Sequence, residues 1–460
     1  MVPDVAPVLK RLARRLYASA LAVPLRAVAA IERARPGHTA GYDPRAVRRI
    51  LVLRLPGLLG DAALLTPALR LLKDAFPAAE VHVLASPAQA PLLAPLSFID
   101  RVVVWSAGDL LEPRQALTPA AWRAAAAAVR RLRRGRYDVA LACYGRLSSA
   151  LALLSGAPYR FGYAAEAFPG TLTHPLPGGR YDRPWHEADY NVALARAAGA
   201  AGETPPMHLV VPDESRRAVD ALFRDLAAPA SPAPPVASPG GSDSSPLVAP
   251  HPRAAPPIQN PKSGNPRQRV IQNRSPLVVL HPGATNGAAK RWPPGYWAAL
   301  ASRLGADGDT VVLVGGPQDR WLTSWIAARA APRPVDLAGH TSLLQLLAVL
   351  ERAAVVVSGD SGPVHFAVGL RRPVVAIHGP TDPAISGPYD LRRARVVRHA
   401  LPCSPCYRLD RVADCPLGHA LCQRLIAPAA VYAAVRALVG RGEPDVAADE
   451  ADEGRRTKDE

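Results

Sequence analysis

The 460-residue sequence predicts an α/β protein built from two doubly wound, parallel-sheet domains. Three observations carry this reading. Short apolar runs of buried-strand length are each followed by a loop and then by a stretch with helical periodicity. The same order recurs on both sides of a proline-dense segment. The chain is also too long for one ordinary core and suits two domains plus extensions.

Residues 1–45 read as a basic amphipathic appendage. Val5, Val8, Leu9, Leu12 and Leu16 share one helical face, while Lys10, Arg11, Arg14 and Arg15 fall largely elsewhere. Pro24 is expected to break or restart that helix. Such a segment suits either an anionic membrane surface or packing on its own domain. The first folded unit, residues 46–228, opens with a strand over 48–55 and a Pro-Gly-Leu-Leu-Gly-Asp loop. A helix over 62–76, strands over 80–84 and 102–105, a helix over 122–134 and a strand over 137–143 follow. From Pro229 to Pro276 inclusive there are thirteen prolines, mixed with Ser, Ala, Gly and Asn. Such a composition buries too little apolar surface to offset the entropy of ordering, so residues 229–275 are expected to be a disordered linker. The second unit, residues 276–440, has strands expected over 277–281, 310–314, 354–357 and 374–377. The acid-rich residues 441–460 are expected to form a solvated tail.

The formal charge of +17 suggests an anionic partner. The chain has no aromatic-plus-basic stacking pattern, which argues against nucleic acid. It also has no apolar run of about 18 residues, which argues against a spanning helix. The short apolar stretch over 16–25 is followed by Arg26, which fits a signal peptide poorly. Five cysteines, four of them close together near the C-terminus, make no disulfide framework across the chain, so a reducing cytoplasm is the default compartment.

Open α/β sheets bind ligands at the C-terminal ends of their strands, and three such loops carry chemistry. In the first, Gly60 permits a tight turn and Asp61 sits at or near a helix N-cap. There Asp61 serves either as a cap or as a general base at the rim of a cleft. In the second, Gly359-Asp360-Ser361-Gly362-Pro363-Val364-His365, the Ser361 and Gly362 amides at a helix start suit a diphosphate, and His365 lies in the first turn. Asp360 is awkward beside a diphosphate and is expected to bind sugar hydroxyls or to order the loop. The third, His281-Pro282-Gly283-Ala284-Thr285-Asn286 and then Lys290-Arg291-Trp292, offers a hydroxyl and a compact positive charge to a leaving diphosphate.

Four motifs occur in order: Gly-Asp-x4-Thr-Pro-Ala-Leu, His-Pro-Gly-Ala-Thr-x4-Lys-x-Trp-Pro, Gly-Asp-Ser-Gly-x2-His-x-Ala and Gly-Pro-Thr-Asp-Pro. This set resembles glycosyltransferase family nine, the ADP-heptose:lipopolysaccharide heptosyltransferases. The resemblance covers roughly residues 48–225 and 276–438. It implies the GT-B fold, two Rossmann-like domains facing a cleft, and an inverting sugar transfer with no required cofactor. It places the base on Asp61 and the donor site on Thr285, Lys290, Gly315, Asp360, Ser361, Gly362, His365 and Thr381. Asp319 is the nearest acid to the position of the family's ribose-holding glutamate, one methylene shorter. Arg146 and Arg160 are candidates for an anionic glycan or glycolipid acceptor. The implied partners are a nucleotide-diphosphate sugar, that acceptor and the inner membrane surface, placing the enzyme in the cytoplasm. The alternatives are the same fold with another nucleotide sugar and acceptor, or a non-catalytic nucleotide-sugar-binding protein.

The four late cysteines, Cys403-x2-Cys406-x8-Cys415-x6-Cys422, begin with a zinc-like spacing. They read either as a structural metal cluster or as free thiols. The first strand lacks a following Gly-x-Gly-x-x-Gly, which argues against a dinucleotide oxidoreductase.

Overall fold

The computed structural model describes residues 6–33, 41–55, 57–108, 118–179, 182, 185–227, 275–284, 287–407 and 414–440. The expected linker and acidic tail lie outside the described residues, apart from Ser275 at the linker's end.

Two six-stranded parallel sheets form the frame. The first comprises β1 (Arg49–Arg54), β2 (Glu80–Ala85), β3 (Arg101–Val104), β4 (Val139–Tyr144), β5 (Tyr159–Tyr163) and β6 (His174–Leu176), in the order β3-β2-β1-β4-β5-β6. The second comprises β7 (Leu277–His281), β8 (Thr310–Leu313), β9 (Val335–Asp336), β10 (Val355–Gly359), β11 (Val374–His378) and β12 (Ala394–Arg398). Its order is β12-β11-β10-β7-β8-β9. Read from the third strand, both sheets have the same 3-2-1-4-5-6 order, a doubly wound arrangement whose switch point lies between the first and fourth strands. The central strands are apolar nearly throughout because helices cover both faces. In β1 every residue from Ile50 to Arg54 is buried.

Sequence reading missed β5, β6, β9 and β12. β9 is two residues long and β6 carries Pro175, so neither has enough alternation to register locally.

The N-terminal helix α1 (Ala6–Arg33) corrects one expectation: it runs through Pro24 without a break. An interior proline costs a helix about 3 kcal/mol, and packing on either side of it works against that cost. Leu21, Ala22 and Leu25 pack against Ala150 and Phe168, Ala29 is fully buried, and Glu32 pairs with Arg133. The C-terminal half of α1 is therefore docked on its own domain. Among the described residues no helix is long and apolar enough to cross a membrane.

The two lobes meet along several contacts. Helix α2 (Leu59–Ala75) follows β1, helix α3 (Gly145–Leu154) follows β4, and helix α4 (Glu187–Ala197) lies beside α2. In the second lobe, helix α5 (Gly362–Gly369) follows β10 and packs against α2. Arg216 grips Glu351 with two bonds of 2.8 Å. His186 donates from Nε2 to Gly387 O at 3.0 Å, and Tyr389 donates to Asp189 at 2.6 Å. One continuous apolar core runs from Val52 and Leu69 through Val364 and Phe366 into the second sheet.

Candidate active site

The first wall of the cleft is the start of α2, just past the switch point of the first sheet. Leu58 is the N-cap and Asp61 is the third helical residue. Asp61 is thus not the cap residue itself. Its Oδ2 reaches back to accept the Leu58 N–H at 2.8 Å, satisfying a donor that the helix leaves open. Its Oδ1 accepts from Arg54 Nη2 at 2.9 Å.

The second wall is the start of α5, past the switch point of the second sheet. Ser361 is its N-cap, without a side-chain capping bond, and Gly362 is its first residue. The two helix starts face each other closely. A Cβ on Gly60 would stand 2.9 Å from His365 Cδ2 and 3.3 Å from Gly362 Cα. His365 is buried between the lobes with no hydrogen-bond partner at Nδ1. Burial pushes its pKa down to about 4 against the pull of Asp360 and Asp61, so the ring is neutral at pH 7.

Lys290 does not stand as a lone cation. Its Nζ lies 2.9 Å from Asp360 Oδ2 and 4.8 Å from the centroid of the Tyr407 ring. Burial works to raise the Asp360 pKa, but Lys290, with His378 and His365, holds it down to about 2. The segment is anchored by Trp292, which is buried edge-on against Trp297 and donates to Ile426 O at 2.9 Å. Gln423 donates to Lys290 O at 3.0 Å. Thr381 is buried and bonds His378 Nδ1 at 3.1 Å.

Asp319 is caged rather than open. Its Oδ2 accepts the Gly316 N–H at 2.9 Å. A Cβ on Gly283 or Gly315 would come within 2.7 or 2.8 Å of its side chain. Both glycines are required because the Asp319 side chain fills the space between their loops.

These walls enclose a cleft of about 670 Å³. Asp61, Lys290, Gly315, Asp319, Asp360, Ser361, Gly362, His365 and Thr381 all line it. Thr285 lies outside the described residues, and its neighbour Ala284 lines the cleft. The two candidate acceptor residues do not line it. Arg160 is buried, donating to Thr171 O and Ala157 O at 2.6 Å each, which makes it a brace inside the first lobe. Arg146, in the first turn of α3, is exposed with its guanidinium 5.7 Å from the Phe168 ring centroid. Glu187, Ser342 and Tyr407 also line the cleft, and Arg54 pairs with Asp61; the sequence reading assigned none of the four a role. A charged residue ending the apolar run of β1 was the one local signal.

Among the described residues none of the five cysteines is in a disulfide. Among the described residues no group of three or more His, Cys, Asp or Glu side chains is arranged to hold a metal ion. Residues 408–413, between Cys406 and Cys415, lie outside the described residues.

Comparison with known proteins agrees with this geometry. Residues 249–416 match the family model described as glycosyltransferase family 9 (heptosyltransferase). Lipopolysaccharide heptosyltransferase 2 of Escherichia coli K12 is 36% identical over 141 residues, 30% of this chain and 40% of that protein. The matched region thus spans about 40% of the length of that curated relative. The solved ADP-heptose LPS heptosyltransferase II of E. coli superposes with a TM-score of 0.61 at 23% identity, covering 86% of this chain and 99% of that one. A family 9 glycosyltransferase from Veillonella parvula does so with a TM-score of 0.64 at 18% identity, covering 87% and 99%. At those identities the superpositions establish the fold, which is GT-B, and together with the matched model they lead to one conclusion. The chain has the GT-B fold and, over residues 249–416, resembles glycosyltransferase family 9.

Proposed function

We propose that this chain is an inverting glycosyltransferase that moves heptose from ADP-heptose to an anionic lipopolysaccharide-core acceptor without a divalent ion. The observation that carries this reading is the meeting of the two helix starts across one cleft. It sets the Asp61 carboxylate opposite the Ser361 and Gly362 amides, with Lys290 beside them. In this reading the acceptor hydroxyl loses its proton to Asp61 and attacks the anomeric carbon from the face opposite the leaving nucleotide. That single displacement inverts the anomeric configuration. The start of α5 and Lys290 stabilise the charge growing on the diphosphate, and preorganised donors of this kind are typically worth a few kcal/mol each. An ammonium has three N–H donors, so Lys290 can keep Asp360 while binding a phosphate oxygen. Neutral His365 donates to the same anion in this scheme. Arg146, exposed beyond the C-terminal end of β4, is the remaining candidate for the acceptor's negative charge. The basic first half of α1 supports contact with an anionic membrane surface on the cytoplasmic side, where such an acceptor would be presented.

The donor is tested by thermal shift with ADP, UDP, GDP, CDP and their sugars in EDTA, on wild type and Lys290→Ala. A ligand at 100 times its Kd stabilises the native state by about 2.7 kcal/mol. The largest rise is expected with ADP species and should nearly vanish in the variant. A UDP or GDP preference would retain the fold and overturn the heptose assignment. No rise with any nucleotide at millimolar concentration would favour a protein that has lost donor binding.

A further inference from the structure

We propose that Arg54 and Glu187 are positioning residues that hold Asp61 oriented and able to accept a proton. This rests on reading Asp61 as the base. Arg54 closes an otherwise apolar strand, and its side chain is 2% exposed. Burying a guanidinium carries a desolvation penalty of several kcal/mol unless it is well paired, and the pairing here is dense. Nη2 donates to Asp61 Oδ1 at 2.9 Å and to Glu187 Oε2 at 3.2 Å, while Nη1 donates to Asn191 Oδ1 at 3.1 Å. Asn191 in turn donates to Leu64 O in α2 and to Glu187 O in α4, at 3.1 and 3.2 Å. One guanidinium thus ties the end of β1 to the first turns of α2 and α4. Asp61 is held at both oxygens, by Arg54 and by the Leu58 N–H.

The charge count explains why a second carboxylate is present. A single arginine beside an aspartate lowers its basicity by about 1–3 pKa units, which would weaken a proton acceptor. Glu187 shares the same nitrogen, so the trio carries a net negative charge and Asp61 is not opposed by an undivided cation. Among the described residues, the charged and titratable groups around Asp61 include Arg54 from β1, Glu187 from α4 and His365 from α5, with Cys143 of β4 acting on Arg54.

The test uses the full-length protein labelled with 13C at the aspartate Cγ, with the Asp61 signal identified by its loss in Asp61→Asn. Glu187→Gln leaves Arg54 facing Asp61 alone, so the Asp61 titration midpoint is expected to fall by about one pH unit or more. Arg54→Met leaves two carboxylates without the cation between them, so the midpoint is expected to rise by about as much. Should Arg54→Met not fold, the near-isosteric Glu187→Gln carries the test by itself. A purely structural role would lower turnover without moving the midpoint in either direction. An unmoved Asp61 midpoint in folded Glu187→Gln overturns the inference. Failure of the base assignment is distinguishable, because Asp61→Asn would then turn over like wild type while the titration shifts remained.

Discussion

Replacing Lys290 by methionine removes the cation that keeps Asp360 charged inside the second lobe. The two side chains are 11% and 9% exposed and 2.9 Å apart, so little water can take over the role of Lys290. In the wild type, the Asp360 pKa of about 2 lies below its ordinary 3.8, so its contribution to stability is present above pH 4 and is lost as pH falls toward 2. That difference corresponds to roughly 2 kcal/mol at neutral pH. In Lys290→Met burial acts on Asp360 largely unopposed and raises its pKa above the unfolded value. The sign then reverses, and stability declines as pH rises from about 4 through the new pKa. Breaking a buried pair typically costs about 3–5 kcal/mol, so the variant should be clearly destabilised at pH 8 and less so at pH 5. Lys290→Met/Asp360→Asn removes the stranded charge and should recover most of the loss, because contacting residues do not act additively. Urea unfolding midpoints for the three proteins at pH 5 and pH 8 measure this. Equal destabilisation of the single and double variants at both pH values would refute the argument that Asp360 depends on Lys290.

Three further outcomes are expected. Asp61→Asn should fold normally, since Asn can still accept the Leu58 N–H. Its turnover with ADP-heptose and a lipopolysaccharide-core oligosaccharide should drop by roughly 10²–10⁴, and near-wild-type turnover would remove Asp61 from the chemistry. Gly60→Ala should lower the melting temperature modestly, because overpacking against buried His365 costs about 1–3 kcal/mol, of which the helix preference of Ala over Gly returns about 1 kcal/mol. Its Cβ would push against His365 and Gly362 and separate the helix starts, so turnover should fall roughly tenfold or more. Unchanged turnover would mean that the spacing is not critical. Deleting residues 1–18 leaves the part of α1 that packs on Ala150 and Phe168. It should weaken salt-sensitive binding to phosphatidylglycerol vesicles without lowering the melting temperature, as each basic residue near such a surface contributes about 1 kcal/mol. Equal vesicle binding would assign the segment no membrane role.

Much of the frame was legible from local pattern. β1, β4, β7 and β10 lie at the centre of their sheets, and burial on both faces makes them continuous apolar runs that any reading of the chain detects. The loops after β1, β7 and β10 hold glycines and polar residues in an order that marks ligand-binding strand ends, which is why Asp61, Lys290 and Ser361 stand out as candidates in the sequence. The short edge strands β6 and β9 were not legible, because pairing with a neighbour makes them strands more than their own residues do. The proline in α1 misled for a related reason. Its local penalty is real, but contacts made by Leu21, Leu25 and Ala29 outweigh it.

The sequence by itself determined that two α/β units exist and which strand ends carry polar residues, since both follow from hydrophobic periodicity over a few residues. Only the tertiary structure decided how those residues are used. It paired Lys290 with Asp360, 70 positions along the chain, and turned Arg160 inward onto carbonyls of its own lobe. It also brought Arg54 to Glu187 and Asn191, 133 and 137 residues away. No local pattern encodes such distances. A buried guanidinium must find its acceptors wherever packing places them, and that placement follows from how β1, α2 and α4 come together in space.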